Sequence, residues 1–303
     1  MYYLGAAFPA VRSMRLPVSR DQTMLLIAAV NELFLGLDIY LAHSISGTIV
    51  PREWIPIVFG PTAGVLLLAA GLLALRRRKL ATLIASVIFT LSIVVGLLGA
   101  YFHFIRAILP YAPAGERVSI PLLVWAPPIL GPLTFSLVGL IGMSAAWVES
   151  PADSGTLQLP RGWRLNLPYS KTRAYLLMTG MGSLATLISS VLDHARTGFV
   201  NPWLWIPTTV GAIGTTAAIT LGFLERPSAR DVRAFIAAMS LMLLTGVIGL
   251  ILHVRDDLTA EGVVVIERFI RGAPVLAPLL FSNMGMIGFA AIMDPGGEGS
   301  EIN

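Results

Sequence analysis

Four histidines, His43, His103, His194 and His253, are the residues of this sequence best suited to chemistry, and each falls near the end of an apolar run. An imidazole nitrogen ligates haem iron, copper or zinc, and it exchanges a proton near neutral pH. The chain contains no cysteine, which removes disulfides, thiolate zinc sites, cysteine-ligated iron–sulfur clusters and cysteine nucleophiles. Other polar candidates are few. Of 303 residues 13% are charged and 55% hydrophobic, whereas soluble domains carry about 25% charged residues. Mean hydropathy is +0.78. These are the values of a membrane protein. The net charge of +4 resides in arginines placed between apolar spans, not on one basic face, so nucleic acid is not an expected partner.

The elements that must position the histidines are helices, since a helix of about 20 apolar residues crosses a bilayer core. That window predicts an all-α integral membrane protein with eight transmembrane helices, near residues 22–47, 54–75, 80–106, 122–148, 172–197, 202–224, 231–255 and 272–293. The organisation that follows is an N-terminal cytoplasmic or interfacial segment (1–21), a first four-helix bundle (22–148), a cytoplasmic linker (149–171), a second four-helix bundle (172–293) and a polar C-terminal tail (294–303). Pro151, Asp153, Ser154, Gly155 and Pro160 mark the linker. The first twenty residues lack the pattern of a signal peptide and are expected to stay, lying along the membrane surface. Arginine and lysine concentrate in the N-terminal segment, the Arg76–Lys79 run, the linker and the 226–233 loop. The positive-inside tendency then places both termini in the cytoplasm. Arginine far outnumbers lysine, as in GC-rich prokaryotic genomes, so the expected location is the cytoplasmic (inner) membrane of a prokaryote. All four histidines then lie in one layer near the outer face.

Internal repetition connects them. A shift of 151 residues superposes His43, Gly47, Pro51, Trp54-Ile55-Pro56 and Gly60 on His194, Gly198, Pro202, Trp205-Ile206-Pro207 and Gly211. A shift of 150 places Gly96, Gly99 and His103 on Gly246, Gly249 and His253, and one of 151 places Glu116-Arg117 on Glu267-Arg268. A shift of 146 pairs Pro128, Pro132, Phe135, Ser136, Gly139 and Gly142 with Pro274, Pro278, Phe281, Ser282, Gly285 and Gly288. The chain therefore reads as two tandem four-helix units. With an even number of spans each, they form a parallel repeat about a pseudo-two-fold axis along the membrane normal.

In an up-down bundle the first and third helices are diagonal, so His43 is expected to face His103, and His194 to face His253, across a core of the kind that holds cofactors. Gly99 and Gly96 lie one and two turns deeper on the His103 face, and Gly249 and Gly246 beneath His253; Gly36, Ser183 and Ser190 lie similarly on the other two helices. This arrangement resembles the b-type cytochrome bundles, where paired histidines on diagonal helices ligate one haem and small residues make room for the ring. The resemblance implies two haems b, held by His43, His103, His194 and His253. Gly96, Gly99, Gly246 and Gly249 would flank the rings, with Arg117 and Arg268, and beside them Arg106 and Arg271, in the outer connections where propionates emerge. The four-plus-four design also resembles haem A synthase, as architecture alone: that family's Glu-x-x-His motif and outer-loop cysteine pair are absent, and no catalytic residue is carried over.

Three acids break the repeat. Glu32 lies about three turns below His43 on nearly the same face and corresponds to Ser183; Asp38 corresponds to Ser189, and Asp193 to Ala42. A carboxylate within a membrane serves a proton path or a quinone pocket, which makes Glu32 the candidate proton or quinone residue. The paired Trp-Ile-Pro segments read as interfacial helix starts, and the prolines of helices 4 and 8 as kinks. The leading expectation is electron transfer or membrane oxidoreduction on bis-histidine haem b, with quinone, an extracytoplasmic redox partner or other membrane subunits as partners. The alternatives are a haem-free quinol-reactive subunit, similar to the two-bundle polysulfide-reductase type, and copper binding or transport by imidazole, carboxylate and the eleven methionines.

Overall fold

The computed structural model describes residues 4–8, 18–44, 47, 49–108, 124–125, 128–259, 265, 267–268, 272 and 274–294. Its helices are α1 (Leu4–Ala7), α2 (Arg20–Ser44), α3 (Trp54–Ile108), α4 (Leu130–Ala146), α5 (Lys171–Ala195), α6 (Trp205–Phe223), α7 (Ala229–Thr259) and α8 (Leu279–Ala291). Five of them, α2, α3, α5, α6 and α7, are long and apolar enough to cross a membrane. Their surfaces suit lipid: Leu72 is 72% and Leu75 81% exposed, which in water would leave large apolar side chains unburied.

At about 1.5 Å per residue the 55 residues of α3 would make a rod of about 80 Å, against a hydrocarbon core of about 30 Å. The element is broken instead. Arg77 leaves the helical conformation (φ −138°, ψ 63°), within the exposed run Arg76–Lys79. The break separates an arm of residues 54–76 from one of 78–108. Repulsion and hydration of four adjacent cations favour a break there.

α4 and α8 are shorter, at 17 and 13 residues. The kinks expected within them are not observed, because the prolines stand at their starts. Pro132 occupies the first turn of α4, where no intrahelical acceptor is needed, and Pro278 is the residue before α8. Tight i→i−3 turns from Pro274 to Phe281 lead into α8.

Two further turns share one form. Gly47 and Gly198 adopt positive φ (77° and 65°), each donating its N–H to the carbonyl three residues back, Ser44 or Ala195. A side chain there would be strained. One 3-10 turn then follows, Pro51–Glu53 or Pro202–Leu204, before α3 or α6 begins at its tryptophan.

Small residues set the helix spacing. Gly139 of α4 backs onto the Phe89 carbonyl of α3, and Gly285 of α8 onto the Met239 carbonyl of α7; a Cβ at either would lie 2.7 Å from that oxygen. One apolar core gathers Ala28, Ala63, Ile88, Phe89 and Val138, and a second Tyr175, Leu221, Phe235, Met239, Phe281 and Ile287. α1 packs on α7, and the Leu4 N–H donates to Ile292 O at 2.9 Å.

The segment read as a linker contains a sheet. β1 (Val148–Glu149), β2 (Thr156–Gln158) and β3 (Arg164–Asn166) form an antiparallel meander in that order, with Leu157 opposite both Glu149 and Leu165. Glu149 fixes the sheet to the next helix: its Oε1 accepts the N–H of Gly155 at 2.8 Å and the N–H of Lys171, first residue of α5, at 2.9 Å.

Candidate functional site

His43, near the end of α2, and His103, near the end of α3, are brought together. Their ring centroids are 6.0 Å apart with an interplanar angle of 61°. Each Nδ1–H donates to a backbone carbonyl, His43 to Ile39 O at 2.8 Å and His103 to Pro128 O at 2.9 Å. This fixes the tautomer and puts the lone pair of each neutral imidazole on Nε2. The Pro128 carbonyl accepts readily because Pro132, four residues on, has no N–H to offer it.

His253 is oriented in the same way, its Nδ1–H donating to Pro274 O at 2.9 Å. His194 differs. Its Nδ1 lies 3.3 Å from the Ser190 hydroxyl, and its ring stands edge-on to Phe199 at 6.2 Å, which in turn stacks on Trp205 at 4.7 Å. Asp193 is exposed and 4.0 Å from Arg196, whose Nε donates to Val124 O at 2.9 Å.

The glycines beneath the histidines face neighbouring helices. A Cβ on Gly96 would stand 2.6 Å from Ser136 N, and one on Gly99 2.7 Å from Pro132 Cβ. Gly246 meets Ser282 N at 2.5 Å and Gly249 meets Pro278 Cβ at 2.8 Å by the same measure. Ser136 and Ser282 complete these contacts by donating to Ile93 O and Leu243 O at 3.0 and 2.8 Å. Gly36 is covered by Pro61. The small residues thus serve close helix packing, as is common between membrane helices.

Glu32 is fully buried between α2 and α3; its Oε1 accepts the Ser92 hydroxyl at 2.6 Å, and its Oε2 has no hydrogen-bond partner among the described residues. Ser183, its counterpart in α5, is also fully buried with its hydroxyl unpartnered there. Asp38 is exposed on α2. Arg268 lies in a short turn whose carbonyl accepts the Gly272 N–H at 2.6 Å; Arg117, Glu116 and Arg271, and the side chain of Arg106, lie outside the described residues.

Sequence reasoning missed a buried charged cluster where α2 and α5 begin. Arg20 and Lys171 are fully buried. Arg20 donates to the Thr172 hydroxyl at 2.6 Å, Lys171 pairs with Asp21 and donates to Trp147 O at 2.7 Å, and the Tyr175 hydroxyl donates to Asp21 at 3.0 Å. The signal was present: the shift of 151 that aligns the histidines also aligns Arg20-Asp21 with Lys171-Thr172. Charges at a helix start read by themselves as solvated interfacial residues.

Among the described residues no three His, Asp or Glu side chains gather closely enough to hold a metal ion. The chain matches no protein-family model, no curated protein and no solved structure.

Proposed function

We propose that this chain is an eight-span membrane protein of two tandem units whose outer histidines hold haem b for one-electron transfer, with His43 and His103 as the best-formed axial pair. The observation that carries the reading is their spacing. With a metal–imidazole bond of about 2.0 Å and a ring nitrogen about 1.1 Å from the ring centre, two imidazoles on one metal have centroids about 6.2 Å apart. The observed separation is 6.0 Å.

Two imidazoles at this spacing would suit a haem iron, whose macrocycle supplies its other four nitrogens. The residues fit this group in their axial spacing and tautomer. Room for the ring is not supplied by Gly96, Gly99, Gly246 or Gly249, which are in contact with α4 and α8. On this reading His43 and His103 would hold one iron, Arg268 would face a propionate of the haem held by His194 and His253 in the second unit, and bound haem would supply reversible one-electron chemistry. The hydrogen bonds to Ile39 O and Pro128 O hold both rings in place for it. His194 and His253 form the corresponding pair of the second unit.

Contacts between the halves support the tandem reading. Arg20 corresponds to Lys171 and Asp21 to Thr172, so Arg20 to Thr172 and Lys171 to Asp21 are one contact made in both directions, as two units about a two-fold axis require. Asn31 to Asn283 is matched by Gly182 to Leu137, at the corresponding positions. On this reading the Arg76–Lys79 end is cytoplasmic and the histidines lie toward the outer face.

The test is an absorption spectrum of the protein purified from cells with ample haem. A Soret band that sharpens with α-bands on reduction, and that His43→Ala and His103→Ala each abolish for one haem, is expected. A colourless, iron-free protein overturns the proposal, and stoichiometric copper in its place selects the bare-ion alternative.

A further inference from the structure

The meander of residues 148–166 ends in a surface that no packing among the described residues explains. Its edge strand β3 is exposed at all three residues, and the exposure extends over Arg161–Asn166. Trp163 is 73% and Leu165 41% exposed. Alternate residues of an extended strand share a face, so Trp163 and Leu165 project together. Arg161 precedes them and Arg164 stands between them on the other face of the strand, both exposed.

The sheet is held at the helix ends. Trp147 alone separates α4 from β1, and residues 167–170 alone separate β3 from α5. The Glu149 contacts with Gly155 and Lys171 and the Trp147 Nε1–H bond to the Ser86 hydroxyl at 3.0 Å tie it to α5 and to the second arm of α3. The 3-10 turn Pro160–Gly162 packs on α3, the helix that carries Arg76–Lys79 at its exposed break. The strand is thereby held at the level where α4 ends and α5 begins.

We infer that β3 is a membrane-surface anchor: Trp163 and Leu165 enter the headgroup–acyl boundary beside α4 and α5, and Arg161 and Arg164 bind the phosphates of anionic phospholipids. Tryptophan favours that depth because its ring is apolar and its N–H polar. Arginine binds phosphate through a planar pair of donors, and anionic headgroups attract each nearby cation. The inference rests on the reading of α4 and α5 as spans.

The absence of cysteine permits a direct test on the full chain. A single cysteine, Leu165→Cys, labelled with a polarity-sensitive fluorophore, is reconstituted into nanodiscs of phosphatidylcholine alone or of an equal mixture with phosphatidylglycerol. Asn166→Cys, on the opposite face of β3, and Leu140→Cys, exposed in α4, carry the same label as references. In the mixed bilayer the label at 165 is expected to emit to the blue of that at 166 and to be shielded from aqueous iodide. Arg161→Gln with Arg164→Gln, or high salt, should shift it back toward the aqueous spectrum. Water-like emission at 165 in both bilayers, with the label at 140 in lipid, overturns the anchor while leaving the spans intact. Water-like emission at 140 overturns the spans and the anchor with them. Shielding at 165 only when another protein copurifies assigns the face to a subunit and also overturns it.

Discussion

The cluster where α2 and α5 begin makes an asymmetric demand on its charges. Asp21 is the acceptor for Lys171 and for Tyr175 at 3.0 Å, with Arg20 Nε at 3.5 Å. Replacing Asp21 by Asn leaves two fully buried cations, Arg20 and Lys171, to share one neutral amide. Removing one partner of a buried ion pair costs about 3–5 kcal/mol, and that range is expected for Asp21→Asn. Lys171→Met should cost less, about 1–3 kcal/mol, since Arg20 and Tyr175 still attend the carboxylate. In the double variant the lost charges cancel, and its cost should fall below the sum of the singles by 1 kcal/mol or more, well outside the additivity expected of independent sites, about 0.5 kcal/mol. The assay is unfolding of the purified protein in dodecylmaltoside micelles titrated with sodium dodecyl sulfate, followed by circular dichroism. Equal costs for the two single variants, or additivity in the double, would refute the assignment of Asp21 as the shared counter-ion.

Gly96→Ala and Gly246→Ala should each cost about 1–3 kcal/mol, since the added methyl meets Ser136 or Ser282 backbone; Gly71→Ala, which meets nothing within 4 Å, should stay within about 1 kcal/mol of the parent, all read by the same titration. Loss of haem from the Gly96 variant at unchanged stability would instead assign that glycine to the ring. Ser183→Glu puts a carboxyl opposite the position where Met242 replaces Ser92, and adding Met242→Ser should restore about 1–3 kcal/mol by supplying the donor that Glu32 has. Absence of rescue would show that the correspondence between the halves stops short of the buried core.

The long apolar helices were legible in the sequence because lipid imposes a long apolar run. The same shifts that align the histidines align Gly47 with Gly198 and Pro128 with Pro274, and the backbone turns and the His–Pro carbonyl bonds fall at those positions. The role of the glycines was not legible. A glycine one turn from a histidine has the same spacing whether it faces a ring or another helix, and only the position of α4 decides, placing Ser136 and Pro132 against Gly96 and Gly99. The meander was hidden for a different reason. Its strands are two or three residues long, too short for an alternating pattern to be distinct, and its register is held by Glu149 rather than by a hydrophobic face. The ends of α4 and α8 moved because proline was read as a kink where it starts the helix.

On the tandem reading the two halves share a scaffold but not its polar contents, and the differences concentrate in the first. There the histidine rings approach to 6.0 Å, and between the same two helices Glu32 of α2 and Ser92 of α3 form a buried bonded pair. In the second half Ser183 and Met242 occupy those positions, and the ring of His194 lies against Phe199. A buried carboxyl is costly, whereas the serine–methionine combination shows that the scaffold packs without one. Glu32 is therefore not required by the fold as such. His43 is eleven positions on, about 16 Å along α2 at the helical rise, with Gly36 and Pro61 packed between them. At that distance the carboxyl is not a direct hydrogen-bond partner of the histidine. If the carboxyl takes part in the same chemistry as the histidines, it acts on the electrostatics of the first unit rather than as a direct proton donor to its outer site.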